Sequence, residues 1–231
     1  GFKQSLPYIM ERFQSCDILC LSETWLRPQD LSVIYDSMIN TYPDLVYFAK
    51  SAMKDLDSDY HGRPFGGTAV LCHSKDNLSF HELDISNDRI LPIGIHDMSG
   101  AVVPIIIIVC VYFPFYDPQN MDTYLSTIDA LQAILDNYGS LAPIKICGDF
   151  NTPLPQSIIL SKNWHRDSGF NKFSSILHSF LHANDLTAAD LHFSQPTKYT
   201  YFNHTRKVYT WIDHVLTNNY DLDNIRSCSI I

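Results

Sequence analysis

The stretch Ile144-Lys145-Ile146-Cys147-Gly148-Asp149-Phe150-Asn151 decides the reading of this chain. Its first four residues are mostly apolar and have the character of a buried strand. Asp149 and Asn151 follow two positions apart, so a carboxylate and a carboxamide point into one cleft at the strand end. That pairing suits a hard cation and a phosphate. Two other segments have the same form. Asp17-Ile18-Leu19-Cys20 leads into Leu21-Ser22-Glu23-Thr24-Trp25, and Trp211-Ile212-Asp213-His214-Val215-Leu216 stands near the end. Three polar sites at strand ends, far apart in sequence, predict one metal-dependent active site.

Composition sets the bounds. The 231 residues fit one large α/β domain or two small ones. With 45% hydrophobic and 18% charged residues, a sizeable core forms and wholesale disorder is excluded. The net charge of −9 excludes a simple nucleic-acid coat, which would be basic. It does not exclude a nuclease, because a metal site gathers carboxylates while a local basic rim holds phosphates. Cys16, Cys20, Cys72, Cys110, Cys147 and Cys228 have no zinc spacing, and most lie in apolar runs, which predicts buried thiols in a reducing compartment. The apolar run 105–111 is far too short to span a bilayer, and the opening residues show no signal-peptide pattern. A start at Gly1 and an end at Ile230-Ile231, inside a strand-like run, read as a piece of a longer polypeptide.

Periodicity supplies the elements. Leu6, Ile9, Met10 and Phe13 predict a helix over 5–13, with Ser5 as N-cap and Pro7 in the first turn. Strands are predicted over 18–21, 45–49, 68–72, 78–83, 90–96, 102–112 and 144–147. Helices are predicted over 29–38, 123–138 (stopped by Gly139) and 173–181, with Asn184 at its C-cap. Residues 50–65 read as a long surface loop. Residues 199–203 and 208–216 read as a hairpin tipped by His204-Thr205-Arg206-Lys207, and 225–231 as a last strand. Many strands with a helix in each half predict an α/β (α+β) fold in a single domain over 1–231. Two packed β-sheets flanked by helices fit better than a doubly wound sheet, because helices do not follow every strand.

Each candidate residue has an ordinary structural account beside its functional one. Glu23 is either a surface acid at a helix start or a Mg²⁺ ligand. Asp149 and Asn151 form either an Asx turn leading to Pro153 or a catalytic pair. In the latter, Asp149 orients or deprotonates water, or reaches the metal through water, and Asn151 donates to a phosphate oxygen. Tyr112 is either a packed aromatic or a hydroxyl on a non-bridging phosphate oxygen or beside the metal. If Ile212, His214 and Leu216 share a face, Asp213 points the other way. His214 is then packed against the sheet, and Asp213 is the residue suited to orienting a catalytic histidine. His165, His178, His182 and His192 have no supporting pattern and read as structural. Arg206 and Lys207, near Lys198 and Thr200, form either a solvated turn or a loop on a nucleic-acid backbone.

The motifs Ser22-Glu23-Thr24-Trp25, Gly66-Gly67-Thr68-Ala69-Val70, Val111-Tyr112-Phe113-Pro114, Gly148-Asp149-Phe150-Asn151 and Ile212-Asp213-His214-Val215 occur in that order. With them the whole chain resembles the endonuclease/exonuclease/phosphatase superfamily. Within it, the chain looks most like the apurinic-like endonuclease domain of non-LTR (LINE-type) retrotransposons. The resemblance implies a four-layer α/β/β/α sandwich of two mixed sheets. It implies Glu23 as metal ligand for Mg²⁺ (Mn²⁺ as a substitute), and Tyr112, Asp149, Asn151 and Asp213 as catalytic. Thr200, thirteen positions before Asp213, and Thr210 would line the DNA side with Arg206 and Lys207. The implied reaction is nicking of double-stranded DNA to leave a 3′-hydroxyl that primes reverse transcription. The parent chain would continue into a reverse transcriptase, acting in the nucleus after synthesis in the cytoplasm, without a membrane.

Two family features do not match. The chain begins just after the place of an asparagine-containing N-terminal motif, and stops before the family's Ser-Asp-His segment. The fragment is therefore expected to be impaired or inactive. Rival expectations are a phosphatase or phosphodiesterase on inositol phosphates or phospholipids, and an inactive DNA-binding remnant.

Overall fold

The computed structural model describes residues 1–53, 62, 64–98, 102–155, 171–193, 199–205 and 207–230. The chain divides into two compact units, Gly1–Tyr112 and Phe113–Ile231.

In the first unit, alternation along three strands builds two layers of core. Strands β1 (Ile18–Ser22), β2 (Leu45–Lys50) and β3 (Thr68–His73) form an antiparallel sheet with β3 in the middle. Ala69 and Leu71 of β3 face helices α1 (Phe2–Gln14) and α2 (Val33–Met38), and pack with Phe2, Ile9, Phe13, Ile34 and Met38. Val70 and Cys72 face the other way, onto Leu91, Ile93 and Cys110. The latter belong to an antiparallel meander of β4 (Leu78–Glu82), β5 (Ile90–Asp97) and β6 (Ile106–Tyr112). Both faces of β3 are covered, which is why its apolar run does not alternate with polar residues.

Three expected boundaries move for physical reasons. Helix α1 starts at Phe2 with Gly1 at the N-cap, and Ser5 caps nothing. Buried Phe2 donates its N–H to the Thr24 carbonyl at 2.8 Å, which ties the helix start to the end of β1. The predicted helix over 29–38 divides into a 3-10 turn, Pro28–Asp30, and α2. Strand β6 begins at Ile106 rather than Val102. Pro104 has no N–H to give a ladder, and Val102 is 91% exposed.

In the second unit, β7 (Ile144–Asp149) pairs with β11 (Asp213–Asn218), and β11 pairs with the short β8 (Leu186–Ala188). Helix α3 (Met121–Tyr138) buries Tyr124, Ile128, Leu131 and Ile134. Helix α4 (Lys172–Ala183) is capped by the Asn171 side chain, which accepts from Ser174 N–H at 3.0 Å, and has Asn184 at its C-cap as expected. The one-turn helix α5 (Ala189–His192) follows β8; neither was expected. The hairpin pairs β9 (Tyr201–Asn203) with β10 (Val208–Thr210). The predicted arm over 208–216 breaks at Trp211-Ile212, and β11 leaves the hairpin to join β7. Residues 225–230 are not a strand, and Ile231 lies outside the described residues. Across the described residues the chain is mixed α/β, with two main sheets flanked by helices, the class expected from its sequence. No described helix is long and apolar enough to cross a membrane.

Candidate active site

In the first unit the ladder of β1 ends at Ser22 opposite Thr68, and the next residues turn sharply. Glu23 (φ 57°) and Trp25 (φ 55°) are both left-handed, a conformation that non-glycine residues adopt only when their surroundings hold it. Here Thr24 N–H donates to the Gly67 carbonyl at 3.3 Å and Trp25 N–H to the Gly66 carbonyl at 2.9 Å. Thr24 is buried while Glu23 is exposed, so the turn sends the carboxylate outward. No helix starts at Thr24, and the helix-start account of Glu23 loses its basis.

Gly66 (φ 60°) and Gly67 (φ 86°) have to be glycine twice over. A Cβ on Gly66 would lie 2.6 Å from Tyr112 Cε1, and one on Gly67 2.5 Å from Thr24 Oγ1. The pair therefore lets β3 begin directly against Tyr112 and Thr24. Tyr112, at the end of β6, is 7% exposed.

The sequence reading missed Arg89. Its guanidinium carbon stands 5.2 Å from the centre of the Tyr112 ring. Burial holds its pKa below the usual arginine value, against the opposing pull of a hydrogen bond and charge attraction to Tyr112. Its Nη1 is buried and has no hydrogen-bond partner, and the neighbouring Asp88 carboxylate adds a smaller charge attraction. A desolvated cation with an unsatisfied N–H, beside a tyrosine ring, is suited to an anionic oxygen. Nothing in the spacing around Arg89 signals this. The β5–β6 register does, since Ile90 faces Val111 and the next step places residue 89 beside Tyr112, whose N–H donates to the Arg89 carbonyl at 2.9 Å.

In the second unit Asp149, Asn151 and Asp213 come together. Asp149 ends β7, Asp213 begins β11, and their Cα atoms face each other across the ladder. Gly148 (φ 141°) precedes Asp149, and Asn151 (φ 47°) is left-handed. Asn151 N–H donates to Asp149 Oδ1 at 2.7 Å, the Asx turn of the structural account. The Asn151 amide donates to the Phe113 carbonyl at 2.9 Å and to Asp149 Oδ2 at 3.2 Å. Both amide hydrogens are thus engaged, the bond to Asp149 being the longer. Between the two polar residues, buried Phe150 stacks on Phe113 (5.2 Å), and Phe113 packs on Tyr124, anchoring the loop in the core.

Two carboxylates directly opposite each other on neighbouring strands repel. Their side chains offer only oxygens, the ligand type that hard cations take. Among the described residues no three acidic, histidine or cysteine side chains stand at metal-holding distance.

His214 is 2% exposed, facing inward as the alternation predicts, and its Nδ1 donates to Asp190 Oδ2 at 3.0 Å. This Asp–His pair is closed off from solvent. Thr200 Oγ1 accepts from Ile212 N–H (3.0 Å) and Asp213 N–H (3.1 Å), so the threonine thirteen positions upstream ties the hairpin to Asp213. Thr210 is half-buried in β10, with its carbonyl accepting from Thr200 N–H at 2.9 Å. Lys207 is exposed at the hairpin tip; Arg206, Lys198 and His165 lie outside the described residues.

A family model described as the Endonuclease/Exonuclease/phosphatase family matches residues 3–230. The chain belongs to this family. Its members are metal-dependent phosphodiester hydrolases that generally use divalent ions. No curated protein matches the chain at a significant level. Among solved structures, it is similar to a 3′ phosphatase (NExo) from Neisseria bound to a product DNA hairpin. That match has 16% identity over 96% of this chain and 85% of that one, with a TM-score of 0.65. It is similar as well to the 3′–5′ exonuclease (NExo) from Neisseria meningitidis, with 16% identity, the same coverage and a TM-score of 0.64. At this identity the likeness shows the fold, which agrees with the two-sheet architecture.

Proposed function

We propose that this member of the family is the endonuclease of a non-LTR retrotransposon polyprotein, nicking double-stranded DNA to leave a 3′-hydroxyl that primes reverse transcription. The observation that carries the reading is the Asp149–Asp213 cross-strand pair with Asn151 hydrogen-bonded to Asp149. Mg²⁺ held through Glu23 would supply charge neutralisation at the phosphoryl group and the leaving oxygen. Asp149 takes the proton of the attacking water. In the second unit Asn151 exchanges its longer bond to Asp149 for a phosphate oxygen; in the first, the Tyr112 hydroxyl with the Arg89 guanidinium is suited to an anionic oxygen. Asp213 orients the catalytic histidine that the resemblance calls for; buried His214 is not that residue. Thr200, Thr210, Arg206 and Lys207 form the DNA side. The parent chain continues into a reverse transcriptase, and the enzyme acts in the nucleus.

A second reading is 3′-end processing of DNA. It is favoured by the activities of the two structural neighbours, a 3′ phosphatase and a 3′–5′ exonuclease. One experiment separates the readings. The chain, within its parent polypeptide and with Mg²⁺, is offered supercoiled plasmid, a 3′-phosphorylated oligonucleotide and a phosphoinositide. Plasmid nicking lost in Asp149→Ala supports the proposal. Phosphate release from the oligonucleotide with intact plasmid supports end processing. Turnover of the lipid alone, or DNA binding without any hydrolysis, overturns both.

A further inference from the structure

We propose that Asp190 is a positioning residue for hydrolysis: it clamps β11 on both sides of Asp213 and so sets that carboxylate opposite Asp149. The functional half of this inference rests on the proposed roles of Asp149 and Asp213. Asp190 is 4% exposed, and one carboxylate receives three N–H donors. Oδ2 accepts from Trp211 Nε1 at 2.8 Å and from His214 Nδ1 at 3.0 Å, while Oδ1 accepts from Val215 N–H at 2.8 Å. Trp211 precedes Asp213 by two residues, and His214 and Val215 follow it immediately. Trp211 and His214 are themselves buried, so neither ring can find a replacement partner in solvent.

The placement is particular. Trp211-Ile212 is where the chain leaves the hairpin, and an unguided β11 could enter the sheet one residue early or late. A slip of one residue would turn Asp213 to the opposite face. The clamp removes that freedom with charge-assisted bonds in a dry site, where removal of one partner leaves others unsatisfied. From the opposite direction Thr200 Oγ1 receives the N–H groups of Ile212 and Asp213. The Cys228 thiol lies close enough that, after burial, the Asp190 charge is the second cause pushing it up to about 11. An aspartate suits this place because all three incoming groups donate. Asparagine has nearly the same shape but turns an NH₂ toward donors.

The test compares Asp190→Asn with Asp221→Asn. Asp221 is equally buried and bonded to Lys145 and Thr217, the latter toward the far end of β11, and has no assigned part in the chemistry. Both proteins are measured by DNA hydrolysis in the parent polypeptide and by backbone amide NMR of the chain. Asp190→Asn is expected to lower kcat about tenfold or more with KM nearly unchanged, and to move the amide resonances of Asp213 and Thr200. Asp221→Asn is expected to lower the thermal midpoint and leave kcat and those amides in place. Wild-type kcat in folded Asp190→Asn, or a loss that only tracks its unfolded fraction as in Asp221→Asn, overturns the proposal. Should the wild type hydrolyse nothing, the hydrolase reading falls by itself. The amide comparison still decides the clamp, and unmoved Asp213 and Thr200 resonances in Asp190→Asn refute it.

Discussion

At the scale of single residues, several candidate positions are left-handed, as are Asp185 and Lys207 elsewhere in the chain. Glu23, Trp25 and Asn151 hold positive φ without being glycine, Gly66 and Gly67 make room for Tyr112 and Thr24, and Gly148 is itself at φ 141°. Gly67→Ala should cost about 2–3 kcal/mol in urea denaturation, because it combines φ +86° with a Cβ 2.5 Å from Thr24 Oγ1 and 3.2 Å from the Lys50 carbonyl. An unchanged midpoint would mean that the loop relaxes freely. Arg89→Met should lower kcat/KM about 10- to 100-fold while far-UV circular dichroism is unchanged. Arg89→Lys should recover only part of it, since a lysine cannot reproduce the guanidinium fork. That Asp149, Asn151 and Asp213 come together was legible in sequence because each stands at one end of an apolar strand-like run. Arg89 was not, because its role comes from the partner strand across a hairpin, and its own neighbours Asn87 and Asp88 are ordinary turn residues.

At the scale of elements, the strongly patterned pieces were legible and the short ones were not. β3 was found because five successive buried residues leave no alternative. β8 and α5 have three and four residues, too few to show a period, and they exist because β11 and Trp211 offer them partners. The break between β10 and β11 was missed for the same reason: it is made by Thr200 and Asp190, residues distant in sequence. β11 is held at its far end by Lys145 and Asp221. Burial pushes the Asp221 carboxyl up, but hydrogen bonds from Lys145 and Asn224 outweigh it, and its pKa lies below the usual carboxylate value. A depressed folded pKa contributes stability that is present above about pH 4 and is lost as pH falls through the folded value. Lys145→Met should therefore destabilise the protein by about 3 kcal/mol at neutral pH, leaving Asp221 buried without its cation. It should also flatten the acid limb of a stability–pH curve. A variant with the wild-type curve would show the pair to be inert.

At the scale of the whole molecule, the acidic balance of −9 requires that contact with a polyanion be local and screened by salt. The family and the two-sheet class were readable from the order of the motifs. The roles of Thr200 and His214 were not fully so: Thr200 binds the backbone of Asp213, and His214 closes on Asp190, an acid that no motif singled out. The measurement that bears most directly on the account is plasmid nicking by the parent polypeptide, with Mg²⁺ or with chelator, in wild type and in Asp149→Ala. The expected result is nicking that needs the ion and falls about 10³-fold or more in the variant, leaving ends that a polymerase extends. Nicking that persists in Asp149→Ala, or that proceeds in chelator, would contradict it.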